Sequence, residues 1–310
     1  MPAAGLGERV AEGRTSVVYA YGTDSVVKVP RPDVPPHWPR TEAAIAEVVH
    51  RAGLPCPAVR DLVDVDGRQS IVFERIDGPS VWDLLRDRPD HIDEHAALLA
   101  DIQHEIHGVT SLSGPPELAA VPPIAARMVT KIQTADGLTD DERAQASALV
   151  ESLPGGPSLC HGDLHPGNVL MSDSGPRVID WFDAVIGPPE ADVVRTSLLV
   201  RAPSRPGALP AHLPGARPAL LEAFHLRYVA RAVARSGRDW LSPEGAASLL
   251  RWERALAAGR LAEQIAVDEA DLLALWRGPG WDPGRSGLAR ALVELGVSDE
   301  RLELVVDPGR

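Results

Sequence analysis

Apolar residues alternate with polar ones along the first quarter of the chain and then recur at three- and four-residue spacing along most of the remainder. The β-branched runs 16–21 and 25–29 flank Gly22-Thr23-Asp24, which predicts a hairpin. Residues 58–65 and 69–76 flank Asp66-Gly67 and predict a second one. Between them Pro39 and Thr41 open a helical stretch, residues 42–51, that Gly53 and Pro55 close. Beyond Asp77-Gly78-Pro79 the period lengthens. Ile92, Ala96, Leu99, Ile102 and Ile106 mark one helical face, and residues 144–153, 190–200, 220–233, 245–258 and 262–276 read as further helices. Five prolines between Pro203 and Pro218 predict a loop. Strands segregated from helices imply an α+β class: an antiparallel-sheet N-terminal lobe with one helix, residues 1–77, and a mostly helical C-terminal lobe, residues 78–310. The cleft between two such lobes is a natural ligand site.

Composition narrows the function classes. Of 310 residues, 44% are hydrophobic and 24% charged, values ordinary for a globular protein. No apolar run approaches the roughly 20 residues that span a bilayer, and Met1 to Arg9 lacks the basic-then-apolar order of a secretory signal. A cytoplasmic protein with no membrane partner is expected. Cys56 and Cys160 lie far apart and form no disulfide or metal-binding pattern, as in a reducing compartment, and are read as packing residues. The formal charge of −13 argues against nucleic acid, which demands a basic face. It favours cationic small molecules, although solubility accounts for it equally well. Oligomeric state is not set by any feature of the sequence.

The chemistry concentrates in Cys160-His161-Gly162-Asp163-Leu164-His165-Pro166-Gly167-Asn168-Val169-Leu170, followed by Val178-Ile179-Asp180-Trp181. Pro166 and Gly167 between Asp163 and Asn168 predict one tight loop on which the two side chains converge. Asp180 follows a short β-like run, so its carboxylate can leave a strand end toward the same point. Two carboxylates and an amide oxygen suit Mg²⁺ held together with substrate phosphates. In phosphoryl transfer one carboxylate takes the proton of the attacking hydroxyl while others hold the metal, and Asp163 fits the first role, Asn168 and Asp180 the second. Taken singly, Asp163 could equally cap a turn and Asn168 occupy a left-handed position.

Other residues extend this pattern. Lys28 sits in an apolar strand and needs a partner there, for which Glu42 is preferred to Glu47; together they suit nucleotide phosphates. Gly13-Arg14-Thr15-Ser16 could fold its amides over phosphates with Ser16 as the nearest hydroxyl, or close an ordinary hairpin. Phe73-Glu74-Arg75-Ile76 ends the first lobe, where the Glu74 carbonyl and Ile76 amide could read a purine edge or simply cross between lobes. His161, Asp163 and His165 admit a rival reading as ligands of Zn²⁺ or a di-metal hydrolytic centre with Asp180, while a loop histidine satisfied by backbone is the plainer reading of His161. A nucleotide-binding module without chemistry is a third class. Asp192, at a helix start, is expected to brace the loops. Trp240, Trp252, Trp276 and Trp281 are expected in the core, and Glu263, Asp268, Glu269 and Asp271 on a solvated helix face rather than around a cationic substrate.

These motifs resemble the aminoglycoside phosphotransferase family, bacterial relatives of the eukaryotic protein kinases and of choline kinase. The resemblance rests on His161 to Asn168 and Val178 to Trp181, with support from Val27-Lys28-Val29, Thr41-Glu42, Gly53-Leu54-Pro55-Cys56-Pro57 and Phe73 to Gly78, and covers residues 10 to about 195. It implies a bilobal protein-kinase-like fold and transfer of the γ-phosphoryl group of ATP or GTP to a hydroxyl of a small molecule, an antibiotic or a choline-, sugar- or amino-alcohol-type metabolite. It makes Asp163 the catalytic base, Asn168 and Asp180 the Mg²⁺ ligands, Lys28 the phosphate-binding lysine paired with Glu42, and Phe73 to Ile76 the purine-binding hinge. Two departures stand out: the nucleotide loop is poor in glycine, and Trp181-Phe182 replaces the Phe-Gly of protein kinases, which points away from protein substrates.

Overall fold

The computed structural model describes residues 5–201, 213–279 and 281–298. Its first part is an antiparallel sheet of β1 (Leu6–Glu12), β2 (Ser16–Tyr21), β3 (Ser25–Pro30), β4 (Val59–Val65) and β5 (Arg68–Glu74), in the order β1-β2-β3-β5-β4, with α1 (Trp38–Arg51) inserted after β3. The second hairpin turns on Asp66 and Gly67 at φ 52° and 78°, the double left-handed pair that a tight β-turn of matching twist requires. Register then fixes the faces. Lys28 stands opposite Val18 on β2 and Ile71 on β5, while Val27 and Val29 point the other way and pack with Val65 and Val72. The lysine face is the one that turns toward α1.

α1 buries Glu42, Ala43, Ile45, Ala46, Val48 and Val49 along one side. Ile45, Ala46, Val48 and Val49 join the main apolar core of the molecule, whereas Val27, Val29, Val65 and Val72 form a separate small cluster. The helix is therefore the part of the first lobe most firmly built into the rest.

The second part comprises α2 (Val81–Asp87), α3 (Ile92–Gly108), α4 (Ile124–Gln133), α5 (Asp140–Ser152), α6 (Pro189–Val200), α7 (Pro218–Ser236), α8 (Pro243–Arg260), α9 (Ala266–Arg277) and α10 (Gly287–Glu294). Two short antiparallel pairs lie among them: β6 (Ser158–Cys160) with β9 (Val185–Gly187), and β7 (Val169–Ser172) with β8 (Gly175–Val178). α6 is buried at every position from Glu190 to Val200, so it forms the axis of the lobe. Capping boxes start α2 at Ser80 and α5 at Thr139.

An α+β, kinase-like arrangement is thus present. Helices α2, α4 and α10 extend the pattern-based reading. One expected helix is different: residues 262–276 do not form a continuous helix, because Gln264 takes a left-handed conformation (φ 52°) between a 3-10 turn, Leu261–Glu263, and α9. The four tryptophans Trp240, Trp252, Trp276 and Trp281 are buried as expected, and so are both cysteines, which are unpaired. Residues 202–212 of the proline-rich loop lie outside the described residues. Among those described, no helix is long and apolar enough to cross a membrane.

Candidate active site

The loop between β6 and β7 carries Asp163 and Asn168, closed by a 3-10 turn over Pro166–Asn168. Asn168 donates its side-chain amide to the Asp163 carbonyl at 2.9 Å, which leaves the amide oxygen as the group available to a cation. The Asn168 carbonyl accepts the Ile179 amide at 3.0 Å, so the segment bearing Asp180 runs directly alongside. Asp180 itself adopts φ 65°, ψ 63°, a left-handed conformation uncommon for a residue with a Cβ. Such outliers persist where surrounding contacts fix them.

Those contacts are dense. Lys28 Nζ lies 2.6 Å from Glu42 Oε1 and 3.0 Å from Asp180 Oδ1, so one buried cation ties β3, α1 and the Asp180 segment together. Burial opposes its charge, yet the Asp180 and Glu42 carboxylates hold Lys28 well above the ordinary lysine range. Trp181 is buried against the His161 ring and donates to the Val178 carbonyl at 2.9 Å. Phe182 stacks on Trp38 of α1, with centroids 4.3 Å apart, and on the Arg127 guanidinium. The aromatic pair that replaces Phe-Gly is therefore a packed hinge between α1 and the Asp180 segment.

The histidines serve the backbone. His161 Nδ1 accepts the Asp163 amide at 3.2 Å while Nε2 meets the Ile179 carbonyl at 3.1 Å, and His165 Nδ1 accepts the Gly167 amide at 3.0 Å. Burial holds the His165 ring neutral, lowering its pKa to about 3. Three of the four ring nitrogens are thus committed to main chain, which counts against the rival reading of His161, Asp163 and His165 as metal ligands. Asp192 braces the loop as expected: its Oδ1 accepts Gly162 N at 2.8 Å, and its Oδ2 accepts His107 Nε2 and Gln103 Nε2, each at 2.9 Å. Among the described residues, the set of His, Cys and acidic atoms close enough to share an ion is His107, Cys160 and Asp192. Two of its three groups already bond each other, so it is a structural knot.

On the far side of Asp163 lies a cluster that the pattern of residues did not reveal. Arg195 of α6 donates Nε to the Gly162 carbonyl (3.0 Å) and Nη2 to Asp163 Oδ1 (3.1 Å) and Glu263 Oε1 (2.7 Å). Lys131 bridges Glu263 and Asp183, and Arg127 pairs with Asp183 at 2.9 Å. Arg260 joins Glu263 to Asp268. Burial raises the Asp163 carboxyl above its usual range and Arg195 opposes that rise; burial also opposes the Glu263 charge, but Arg195, Lys131 and Arg260 hold its carboxyl far below. Glu263 and Asp268 are thus buried ion-pair partners, and the expectation of a solvated face is corrected for both. The broken helix explains it, since the turn at Gln264 rotates Glu263 inward. Gly162 permits the tight fit: at φ +76° its position for a Cβ would fall 2.1 Å from the Asp183 carbonyl.

The remaining expected residues take simpler places. Ser16 is buried at the start of β2 on the Lys28 face, opposite Pro30, and its carbonyl accepts Gly13 N at 2.9 Å in the closing turn of the hairpin. Phe73 stands opposite Val26 on that same face. The Glu74 carboxylate accepts the Ala58 amide at 3.1 Å, so its side chain holds β4, and Ile76 follows in the crossover to α2.

A family model described as the phosphotransferase enzyme family matches residues 7–225, which include the sheet, the Asp163 loop and α6. The chain belongs to this family. Among solved structures the phosphotransferase is similar to a choline/ethanolamine kinase family protein from Mesorhizobium loti (18% identity, 99% of this chain and 94% of that one, TM-score 0.52). It is also similar to a thermostable mutant of the aminoglycoside phosphotransferase APH(4)-Ia solved with AMP-PNP and hygromycin B (16% identity, 96% of each chain, TM-score 0.57). At these identities the likeness speaks for the fold. A relative from Bacillus subtilis (strain 168), the uncharacterised protein YcbJ, is 30% identical over 129 residues, and the match spans 37% of this chain and 40% of that relative's length.

Proposed function

We propose that the protein transfers the γ-phosphoryl group of ATP or GTP to a hydroxyl of a small molecule. The observation that carries this reading is the convergence of Lys28, Glu42, Asp163, Asn168 and Asp180 from four separate segments onto one loop. The acceptor oxygen forms a bond to the γ-phosphorus, the bond to the β–γ bridging oxygen breaks with its electron pair leaving on the nucleoside diphosphate, and the hydroxyl proton passes to Asp163. Lys28 neutralises the α- and β-phosphates, with Glu42 holding it in place. Asn168 and Asp180 offer an amide oxygen and a carboxylate, hard ligands that fit Mg²⁺. When bound, Mg²⁺ supplies charge neutralisation on the phosphate oxygens. Phe73 to Ile76 form the purine hinge, with the Glu74 carbonyl and Ile76 amide as the reading pair, and the Gly13–Ser16 turn covers the phosphates.

For the acceptor, a sugar-containing antibiotic modified as a resistance or self-protection activity is the first class to examine, in keeping with the aminoglycoside phosphotransferase fold. The second is a metabolic alcohol of choline, sugar or amino-alcohol type. Glu263 and Asp268 are paired with Lys131, Arg195 and Arg260, so neither is left as a free carboxylate for a cationic acceptor. Incubating antibiotics and metabolic alcohols with ATP or GTP and Mg²⁺, and scoring the mass gain of one phosphoryl group, tests this reading. Transfer to an antibiotic supports it; transfer only to metabolic alcohols moves the role to metabolism, and no Mg²⁺-dependent transfer to any hydroxyl overturns it.

A further inference from the structure

Between α3, the end of α7 and the start of α6 lies a cavity of about 190 Å³, separated from the Asp163 loop by Asp192. Its wall bears His104, His107, Ser158, Arg235, Arg238 and Trp240, and no carboxylate lines it among the described residues. In a chain of net charge −13, a cavity with two arginines, two histidines and no acid departs from the surface at large. Arg235 and Arg238 stand at its mouth, with side chains 43% and 49% exposed, while Trp240 is buried in its wall.

The acids closest to the cavity are engaged elsewhere. Asp192 gives its oxygens to the Gly162 and His161 amides and to His107 and Gln103. Glu190 meets Arg238 Nη1 at 3.3 Å. Asp101 is paired with Arg231 at 2.8 Å as well as with Arg235 Nε at 3.0 Å, so three arginines share two carboxylates at the mouth, and Arg235 keeps both Nη groups for another partner. The Ser158 hydroxyl and the Trp240 indole N–H, on residues only 6% and 5% exposed, take no hydrogen-bond partner among the described residues. Guanidinium, hydroxyl and indole donors from α7, β6 and the turn after α7 thus line one space.

We propose that this cavity binds a small phosphate-bearing anion. Guanidinium forks match phosphate oxygens. The donors come from three segments of the chain, and a tetrahedral anion presents oxygens in that many directions, whereas a carboxylate offers two in one plane. Size sets the rest of the ligand: sites for drug-sized molecules enclose roughly 300–1,000 Å³, so this smaller space excludes a nucleotide and holds phosphate alone or phosphate on a few carbons, which Val193 and the Trp240 ring would contact. Gln103 and His107 belong both to this wall and to the clasp on Asp192, so the anion sits next to the residues that hold the group bonded to Gly162. The site stands independently of the reading of Asp163 as the base.

The test follows the indole N–H resonance of Trp240 in the full-length protein by nitrogen-15 NMR, with Trp240→Phe identifying it. Inorganic phosphate, glycerol phosphate and acetate are titrated separately at fixed pH and ionic strength, into wild type and into the Arg235→Gln/Arg238→Gln double variant. A saturable shift at millimolar phosphate is expected, with affinity at least about tenfold weaker in the double variant, because charge-assisted hydrogen bonds are lost. Saturation by inorganic phosphate identifies the free anion as sufficient, and saturation by glycerol phosphate alone identifies a phosphomonoester; either supports the proposal. An absence of any saturable shift, an equal response to acetate, or a response unchanged in the double variant overturns it. Arg235→Gln alone leaves Asp101 with Arg231, so this single variant carries the same comparison if the double variant does not fold. The resonance reports this cavity rather than the Asp163 loop, and the readout needs neither nucleotide nor acceptor, so its outcome is separate from that of the transfer assay.

Discussion

On the sheet side of the Asp163 loop one cation, Lys28, sits between two carboxylates, Glu42 and Asp180. On the opposite side four cations, Arg127, Lys131, Arg195 and Arg260, alternate with four carboxylates, Asp163, Asp183, Glu263 and Asp268. The first cluster carries a surplus negative charge, and its outer acid, Asp180, is 42% exposed. The second is balanced. A site with surplus carboxylate and an amide oxygen beside it is unfinished without a cation, whereas a balanced, buried network is complete and can only orient what it touches. The same residue types thus leave a negative surplus on one side of the loop and a neutral network on the other, and the balance of charge separates the two.

Asp163→Asn is the sharpest way to break this contrast. The substitution keeps the shape of the side chain and removes the base, so turnover should fall by about 10²–10⁴ while nucleotide affinity stays near wild type. Single-turnover kinetics beside calorimetry checks both halves, and near-normal turnover would sink the assignment. Lys28→Met should act on stability. It leaves Glu42 buried with no compensating charge, at a cost of about 3 kcal/mol, read as a lowered midpoint in urea unfolding. Equal midpoints would mean that the cluster is not structurally coupled. Asp180→Ala removes the outer acid and should weaken Mg²⁺-nucleotide binding by at least about tenfold, because even groups behind a metal ligand are worth that much. Unchanged calorimetric affinity would count against a metal-binding role.

The remaining effect concerns pH. His165 and His225 are held neutral by burial, each with its pKa lowered to about 3 from 6.5. A depressed folded-state pKa means the unfolded chain binds the proton first, so their contribution is full above about pH 6.5 and is lost as pH falls toward 3. Each should steepen the loss of stability by about 1.4 kcal/mol per pH unit in that window. Thermal midpoints across the window should decline less steeply in His225→Gln, and an identical slope would show that His225 does not titrate there. His225 lies apart from both charge clusters, bonded to Ser197 at 2.7 Å, so this variant should leave the contrast between them untouched.

Much of the candidate site was legible before any coordinates. Asp163, Asn168 and Asp180 were legible because a Pro-Gly turn and a strand end restrict where a short polar side chain can go. Lys28 was legible because a lysine in an apolar strand demands a partner, and Glu42 is that partner at 2.6 Å. Arg195, Lys131 and Arg127 were not singled out, since charged residues on helices are ordinarily solvated, and neither was Asp183 in the segment after β8. A faint signal existed: Arg195 follows Asp192 by three residues and so shares its helix face, and Arg127 and Lys131 lie four apart. Glu263 was misplaced because the apolar spacing of 262–276 continues smoothly across Gln264, and periodicity does not register one left-handed residue.

Sequence alone determined the alternation of strands and then helices, the turn at Asp66-Gly67, and the local order of the Asp163 loop, because each depends on neighbours within a few positions. It also determined the family, through residues set close together along the chain. Only the tertiary structure decided which charges neutralise which. Lys28 and Asp180 are 152 residues apart, and Arg195 and Glu263 are 68 apart. Coulombic pairing acts through space and desolvation depends on everything packed around the pair, so neither leaves a period or a spacing in the chain to be read.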